Sequence, residues 1–235
     1  DVIKSTLKDK VDLNKYNISE NKTFRSLIYD HVDKNSWGSF GIDLALGSVI
    51  DKTATPVEHM FLPKYIHEFF GNAELNNSKP LVKSSITLFS KKDLGEKSSF
   101  FTSPLFIFSI LALLILFITY KDHKRNTRSK WLDMILFSVT GLIGILILLL
   151  WFATDHTATA NNYNLLWAFT LNIFMISQIS KTTFKPWFIK YLKFSVIMLC
   201  LLTLHWIIGV QVFAIGLIPF LIALVVRYIF LIRKG

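Results

Sequence analysis

Over the first 99 positions polar and apolar residues are mixed and no long apolar run forms, whereas from Phe100 onward apolar stretches alternate with short polar loops. A bilayer core of about 30 Å needs about 20 apolar residues in a helix, and five stretches come close to that length. They lie at roughly 100–120, 131–153, 163–180, 188–208 and 210–232. The third is the weakest, carrying Asn164, Asn172 and Gln178, and the last two are separated only by a tight turn near Gly209. Within the first 99 residues, apolar spacing predicts helices over 1–10 and 22–34, the second built on Phe24, Leu27, Ile28, His31 and Val32. Pro56 and Glu58 predict a further helix running to about Phe70 despite Pro63, and the partial alternation of Leu81, Ile86, Leu88 and Phe89 predicts a strand over 80–90. The expected fold class is mainly α: a partial α+β domain over 1–99, followed by a five-helix transmembrane bundle over 100–235.

Charge orients these spans. The chain holds 26 Lys and Arg against 16 Asp and Glu, an excess that by itself would suit nucleic acid, but its placement excludes that class. Lys121, Lys124, Arg125, Arg128 and Lys130 lie in one loop, Lys181, Lys185, Lys190 and Lys193 in a second, and Arg227, Arg233 and Lys234 at the C-terminal end, while 154–162 and 209–211 have no Lys or Arg. Loops rich in Lys and Arg stay in the cytoplasm. Residues 1–99 are therefore expected outside it, which in a bacterium is the periplasm, with the C-terminus cytoplasmic and the chain in the inner membrane. Trp131, Trp151, Trp167, Trp187 and Trp206 fall near span ends, where amphipathic rings favour the interface. Arg227 is expected to snorkel toward the cytoplasm. Asp133 is expected to pair with the adjacent cationic loop.

Few residues carry the elements of chemistry. Cys200, the one cysteine, sits inside an apolar run, so neither a disulfide framework nor a cysteine-based metal site can form within the chain. No cofactor is called for. Asp43, Asp51, Glu58, His59, His67 and Glu68 reproduce neither a metal-ligand spacing nor a nucleophile with its base. The densest stretch of polar chemistry joins the second and third spans, from Trp151 to Trp167, with Asp155, His156, Asn161, Asn162 and Asn164 in a loop free of positive charge. Ionisable groups at a membrane surface are costly and mark functional sites. An Asp can fix a His tautomer, and Asn amides can donate to ester or phosphate oxygens. The same residues also suit helix ends, Thr154 or Asp155 at a C-terminus and Asn161 or Asn162 as an N-cap. His205 and Gln211 fall at the same depth and can join this patch, although a single His in a span also serves as a helix-pairing hydrogen bonder, the role expected of Asn172 and Gln178.

The run Phe40-Gly-Ile-Asp-Leu-Ala-Leu-Gly-Ser-Val-Ile-Asp51, continuing through Thr55 to Met60-Phe-Leu-Pro63, resembles the end of the periplasmic domain in the Lnb-like lipoprotein N-acyltransferases of Bacteroidota. Trp131-Leu-Asp133, Gly141-Leu-Ile-Gly144, Asp155-His156 and Asn162-Tyr-Asn-Leu-Leu-Trp167 are similar to that family's five-helix membrane segment. The resemblance implies acyl transfer from a phospholipid donor to the N-terminal Cys amine of a lipoprotein acceptor. It also implies that the family's catalytic His and its nucleophilic Cys, in an Asn-Cys-x-Thr-Arg segment, precede Asp1. The chain, which opens without Met or export signal, thus reads as a C-terminal fragment. Asp155, His156, Asn162, Asn164, Trp167 and His205 are the candidates to meet lipid or substrate. The competing expectation is a non-enzymatic anchor that holds a periplasmic domain near a partner.

Overall fold

The computed structural model describes residues 11–12, 21–75, 79–90 and 100–234. The helix expected over 1–10 lies outside the described residues. Two compact units emerge, one of residues 1–28 with 52–97 and the other of 29–51 with 98–235.

In the first unit, helix α1 spans only Phe24–Tyr29, not 22–34: the chain turns after Tyr29, so helical spacing in the sequence outruns the helix itself. A backbone bridge pairs Thr23 with Thr53, and Ala54 N donates to Lys22 O at 2.9 Å. The helix expected from Pro56 to Phe70 is two pieces, a 3₁₀ turn Glu58–Phe61 and helix α3, Pro63–Asn72. Pro63 has no N–H to give and takes the first position of a new helix, where that donor has no partner anyway. No strand forms over 80–90; Leu88 and Phe89 are 94% and 82% exposed, so their alternation has no sheet to pack against. The one ladder among the described residues is antiparallel and short, β1 (Val11–Asp12) against β2 (Glu74–Leu75).

Thr55 and Glu58 close the turn before α3 as a capping box. Thr55 N and Oγ1 both donate to Glu58 Oε2, at 2.8 and 2.9 Å. The Thr55 amide, more than any other group, holds the Glu58 carboxyl below its ordinary value. A depressed carboxyl stabilises the fold above the unfolded-state pKa, and that contribution is lost as pH falls through the folded-state value. The protection factor of the Thr55 amide should accordingly fall on acidification below the ordinary glutamate range, and Glu58→Gln should abolish that fall.

The second unit is built on four helices long and apolar enough to cross a membrane: α4 (Pro104–Lys124), α5 (Lys130–Phe152), α7 (Pro186–Ile207) and α8 (Ile218–Lys234), the last entered through the turn Ile215–Leu217. Helix α2, Trp37–Ala45, belongs to this unit as well. The expected third span, 163–180, is not one helix. It is a 3₁₀ turn at Tyr163–Leu166, an irregular stretch, and the eight-residue helix α6, Asn172–Ile179.

The chain from Thr159 to Ile179 nevertheless runs back along the whole of α5. Thr159 Oγ1 donates to Leu150 O at 2.6 Å near the C-terminal end of α5, Asn172 Nδ2 donates to Thr140 Oγ1 at 2.8 Å midway, and Arg128, just before α5, donates to Ile179 O at 2.5 Å. The irregular stretch is covered by protein, Trp167 and Ala168 being 3% and 0% exposed. Gly144 makes the approach possible, because a Cβ there would stand 2.1 Å from Ala168 O. Gly144→Ala is therefore expected to force the two backbones apart and to lower the melting temperature of the detergent-solubilised protein, at a cost of about 1–3 kcal/mol for overpacking.

At the end rich in Lys and Arg, Arg227 does not snorkel to water. It is fully buried and bridges two carboxylates, with Nε on Asp133 Oδ1 at 2.6 Å and Nη1 on Asp122 Oδ2 at 2.8 Å. Asp122 also accepts from Ser129 N and Oγ, both at 2.8 Å. Asp133 does pair with the cationic loop, Arg128 Nε lying 3.7 Å from its Oδ2. Burial lowers the Arg128 guanidinium from its ordinary value, with Asp133 opposing the shift. Four segments meet in this knot: α4, the loop after it, α5 and α8. A second polar layer midway joins α5, α6 and α7 through Thr140, Asn172 and Tyr191, whose hydroxyl donates to Asn172 Oδ1 at 2.5 Å. Asn172 thus pairs helices as expected, whereas Gln178 Oε1 is buried without a hydrogen-bond partner among the described residues.

Candidate functional site

At the opposite end, where 154–162 and 209–211 carry no Lys or Arg, the loop after α5 meets the segment 43–48 and the turn before α8. Asn162 opens the Tyr163–Leu166 turn as its N-cap, its side chain accepting from Asn164 N, so the capping role foreseen for it holds, although the element it caps is a 3₁₀ turn. Its amide also donates, to Leu44 O at 2.8 Å and Ala45 O at 3.1 Å. Asn164 Nδ2 donates to Asp43 O at 2.8 Å, and its Oδ1 accepts from the Trp167 indole at 2.9 Å. These amides satisfy the last carbonyls of α2, which the helix itself leaves without partners.

The backbone continues the seam. Gly47 N donates to Ala158 O at 3.0 Å and Ser48 N to Asn161 O at 3.1 Å. Asn161 takes the left-handed conformation, φ 54°, which Asn tolerates better than most residues. Any side chain at position 47 would collide, its Cβ 1.9 Å from Ala160 O. Asp43 is 1% exposed, and its carboxylate accepts from the Tyr29 hydroxyl at 2.6 Å. Further along the same face Trp37 Nε1 donates to Thr102 O at 2.8 Å, and Leu105 N donates to Asn35 Oδ1 at 3.1 Å.

Gln211 joins the patch as its depth suggested. Its Oε1 accepts from Tyr163 N at 2.8 Å and its Nε2 donates to Asn162 Oδ1 at 3.3 Å. His205 reaches it differently: Nδ1 lies 2.7 Å from Leu201 O in its own helix, and its ring rests 4.6 Å from that of Tyr163. Beside it an apolar groove of about 390 Å³ opens between α7 and α8, lined by Leu202, Thr203, Trp206, Ile207, Leu221 and Ile222 among others.

Asp155 and His156 are exposed, and neither side chain makes a hydrogen bond or ion pair among the described residues. They do not close α5, whose C-cap is Ala153, and Thr154 Oγ1 donates back to Leu150 O at 2.7 Å. The six residues anticipated from sequence therefore divide. Asn162, Asn164 and Trp167 form a buried clamp, His205 flanks it at the groove, and Asp155 with His156 stand free on the rim. Asp43, Gly47 and Tyr29 were not foreseen as parts of this site. The signal was available in the Phe40–Asp51 run, but nothing in spacing alone shows that its backbone carbonyls would meet amides more than 100 positions later. No group of three or more His, Cys, Asp or Glu able to hold a metal occurs among the described residues.

A family model described as the Lnb transmembrane domain matches residues 95–234. No curated protein matches the chain, and no solved structure does.

Proposed function

As this chain belongs to the family of the Lnb transmembrane domain, we propose that it is the membrane half of a lipoprotein N-acyltransferase, one that moves an acyl chain from a phospholipid to the N-terminal Cys amine of a lipoprotein. In this reading α4, α5, the broken 163–180 segment, α7 and α8 make five passes of a bacterial inner membrane. The end of the bundle that carries 154–162 and 209–211, loops with no Lys or Arg, faces the periplasm together with residues 1–99. The supporting observation is the presence, at that one end, of two exposed polar side chains, Asp155 and His156, and of an apolar groove between α7 and α8.

Such a mouth suits an amphiphilic substrate. Asp155 and His156 meet head-group or acceptor polar atoms, and Leu202, Trp206 and Leu221 offer the acyl chain an apolar wall. Cys200 is not the nucleophile: it is exposed on α7, and no base lies within hydrogen-bonding distance of it among the described residues. The attacking thiolate is the Cys that the family resemblance places before Asp1. It breaks the phospholipid's acyl ester to form a thioester and release a lysophospholipid, then yields the acyl group to the amine, splitting one difficult transfer into two. The clamp holds residues 43–48 against the loop after α5.

Asp155→Ala and His156→Ala are each expected to lower transfer about 10- to 100-fold, the loss of one hydrogen bond to a charged group. The reading is tested in cells whose lipoprotein acylation depends on the gene product carrying this chain, with the N-terminal lipopeptide weighed by mass spectrometry and expression checked by immunoblot. Normal acylation in both variants would sink the assigned roles. Fully acylated lipoproteins in cells lacking the gene would favour an anchor without chemistry.

A further inference from the structure

At the basic end of the bundle, a cleft of about 450 Å³ lies between α4 and α8, well away from the groove just described. Its floor is apolar, with Leu116, Val226 and Phe230, while Asn126, Arg233 and Lys234 stand on its rim. Lys234 is not adrift: Nζ donates to Asn126 O at 2.7 Å and also to the Asn126 side-chain oxygen. This holds the ammonium at the mouth of the cleft.

The neighbouring carboxylates do not neutralise that rim. Asp122 and Asp133 point inward and are committed to Arg227, Arg128 and Ser129. The rim therefore keeps its positive charge directly above a trough of hydrocarbon-like side chains. Basic pockets between transmembrane helices at the cytoplasmic side suit anionic head groups. A head group with a net negative charge satisfies the rim, and an acyl chain covers the floor. A choline head would set its own cation beside Arg233 and Lys234, and free phosphate would leave the apolar floor unused.

We infer that the cleft between α4 and α8 is a binding site for one anionic phospholipid, with its phosphate on Arg233 and Lys234 and a chain against Val226 and Phe230. It is separate from the proposed transfer mouth, so it stands whether or not the acyltransferase reading does.

The test is native mass spectrometry of the intact detergent-solubilised chain titrated with dioleoylphosphatidylglycerol or, separately, dioleoylphosphatidylcholine. One phosphatidylglycerol should be retained in preference to phosphatidylcholine. The double variant Arg233→Gln, Lys234→Gln should weaken that retention about 30-fold, from the energy that basic side chains near a lipid surface contribute. Val226→Trp fills the floor without changing charge and should weaken it as well. The pair Lys190→Gln, Lys193→Gln removes equal charge from α7, outside the cleft, and should leave retention unchanged. Equal retention of the two lipids, or an equal loss in the α7 pair, would overturn the site in favour of diffuse surface charge. Displacement of the lipid by excess inorganic phosphate would overturn it in favour of a simple anion site.

Discussion

Arg227→Met is expected to destabilise the bundle by about 3–5 kcal/mol, the largest effect of any single substitution considered for this protein. The side chain is fully buried, and its removal leaves Asp122 and Asp133, 4% and 0% exposed, as like charges without the cation between them. Breaking one partner out of a buried ion cluster costs this much because the carboxylates lose their shared cation and keep only Arg128 at 3.7 Å from Asp133 and the Ser129 hydrogen bonds to Asp122. The sign reverses when the carboxylates leave too. The triple variant Arg227→Met, Asp122→Asn, Asp133→Asn should recover most of the loss, since a well-packed neutral replacement of a buried ion cluster is often tolerated. Thermal unfolding of the three proteins in one detergent, read by intrinsic tryptophan fluorescence, measures both effects. Equal melting temperatures for wild type and Arg227→Met would mean that the guanidinium reaches water after all.

The second large effect is expected on activity. Asn162→Leu with Asn164→Leu removes the amides that hold Asp43 O, Leu44 O and Ala45 O and leaves the Trp167 indole without its acceptor. Buried groups stranded in this way cost about 1–3 kcal/mol each. The segment 43–48 should loosen, and hydrogen exchange of the Gly47 and Ser48 amides should accelerate about 100-fold. Lipoprotein acylation should fall by a similar factor, because a misplacement of about 1 Å at a reacting centre costs about that much. The bundle itself should still fold, since the Arg227 knot and the Thr140–Asn172–Tyr191 layer lie elsewhere along it. Slow exchange at Gly47 combined with normal transfer would remove the clamp from the mechanism.

These expectations draw unequally on the sequence. Four long helices were legible because an apolar run of about 20 residues has few other uses. The passage 163–180 reads in the sequence as a fifth span, whereas the structure has a 3₁₀ turn and an eight-residue helix there. Its Asn164 and Asn172 signalled polarity, yet only Gly144 opposite Ala168 shows how closely an irregular backbone can lie against α5. Asp133 was legible as the partner of a cationic loop, while Arg227 was misread as snorkelling. A basic residue near a helix end looks the same whether water or two carboxylates receive it, and Asp122 lies 105 positions from Arg227. The shorter elements fared worse. Pro63 was treated as an interruption rather than a start, and the alternation over 80–90 had no neighbouring strand to confirm it. At the candidate site, Asn162, Asn164 and Trp167 stood out by their polarity in a loop without Lys or Arg. Their partners were backbone carbonyls, which no side-chain pattern reveals.

The most direct test of the central claim, that transfer takes place at the Asp155 end of the bundle, is site-specific photo-crosslinking in cells. A photoreactive amino acid at position 155 or 156 of the full gene product, followed by irradiation and an immunoblot for a lipoprotein, reports what occupies the mouth. The account predicts a lipoprotein adduct from these positions and none from position 123 at the basic end. Adducts of equal strength from 123, or none from 155 and 156, would contradict it.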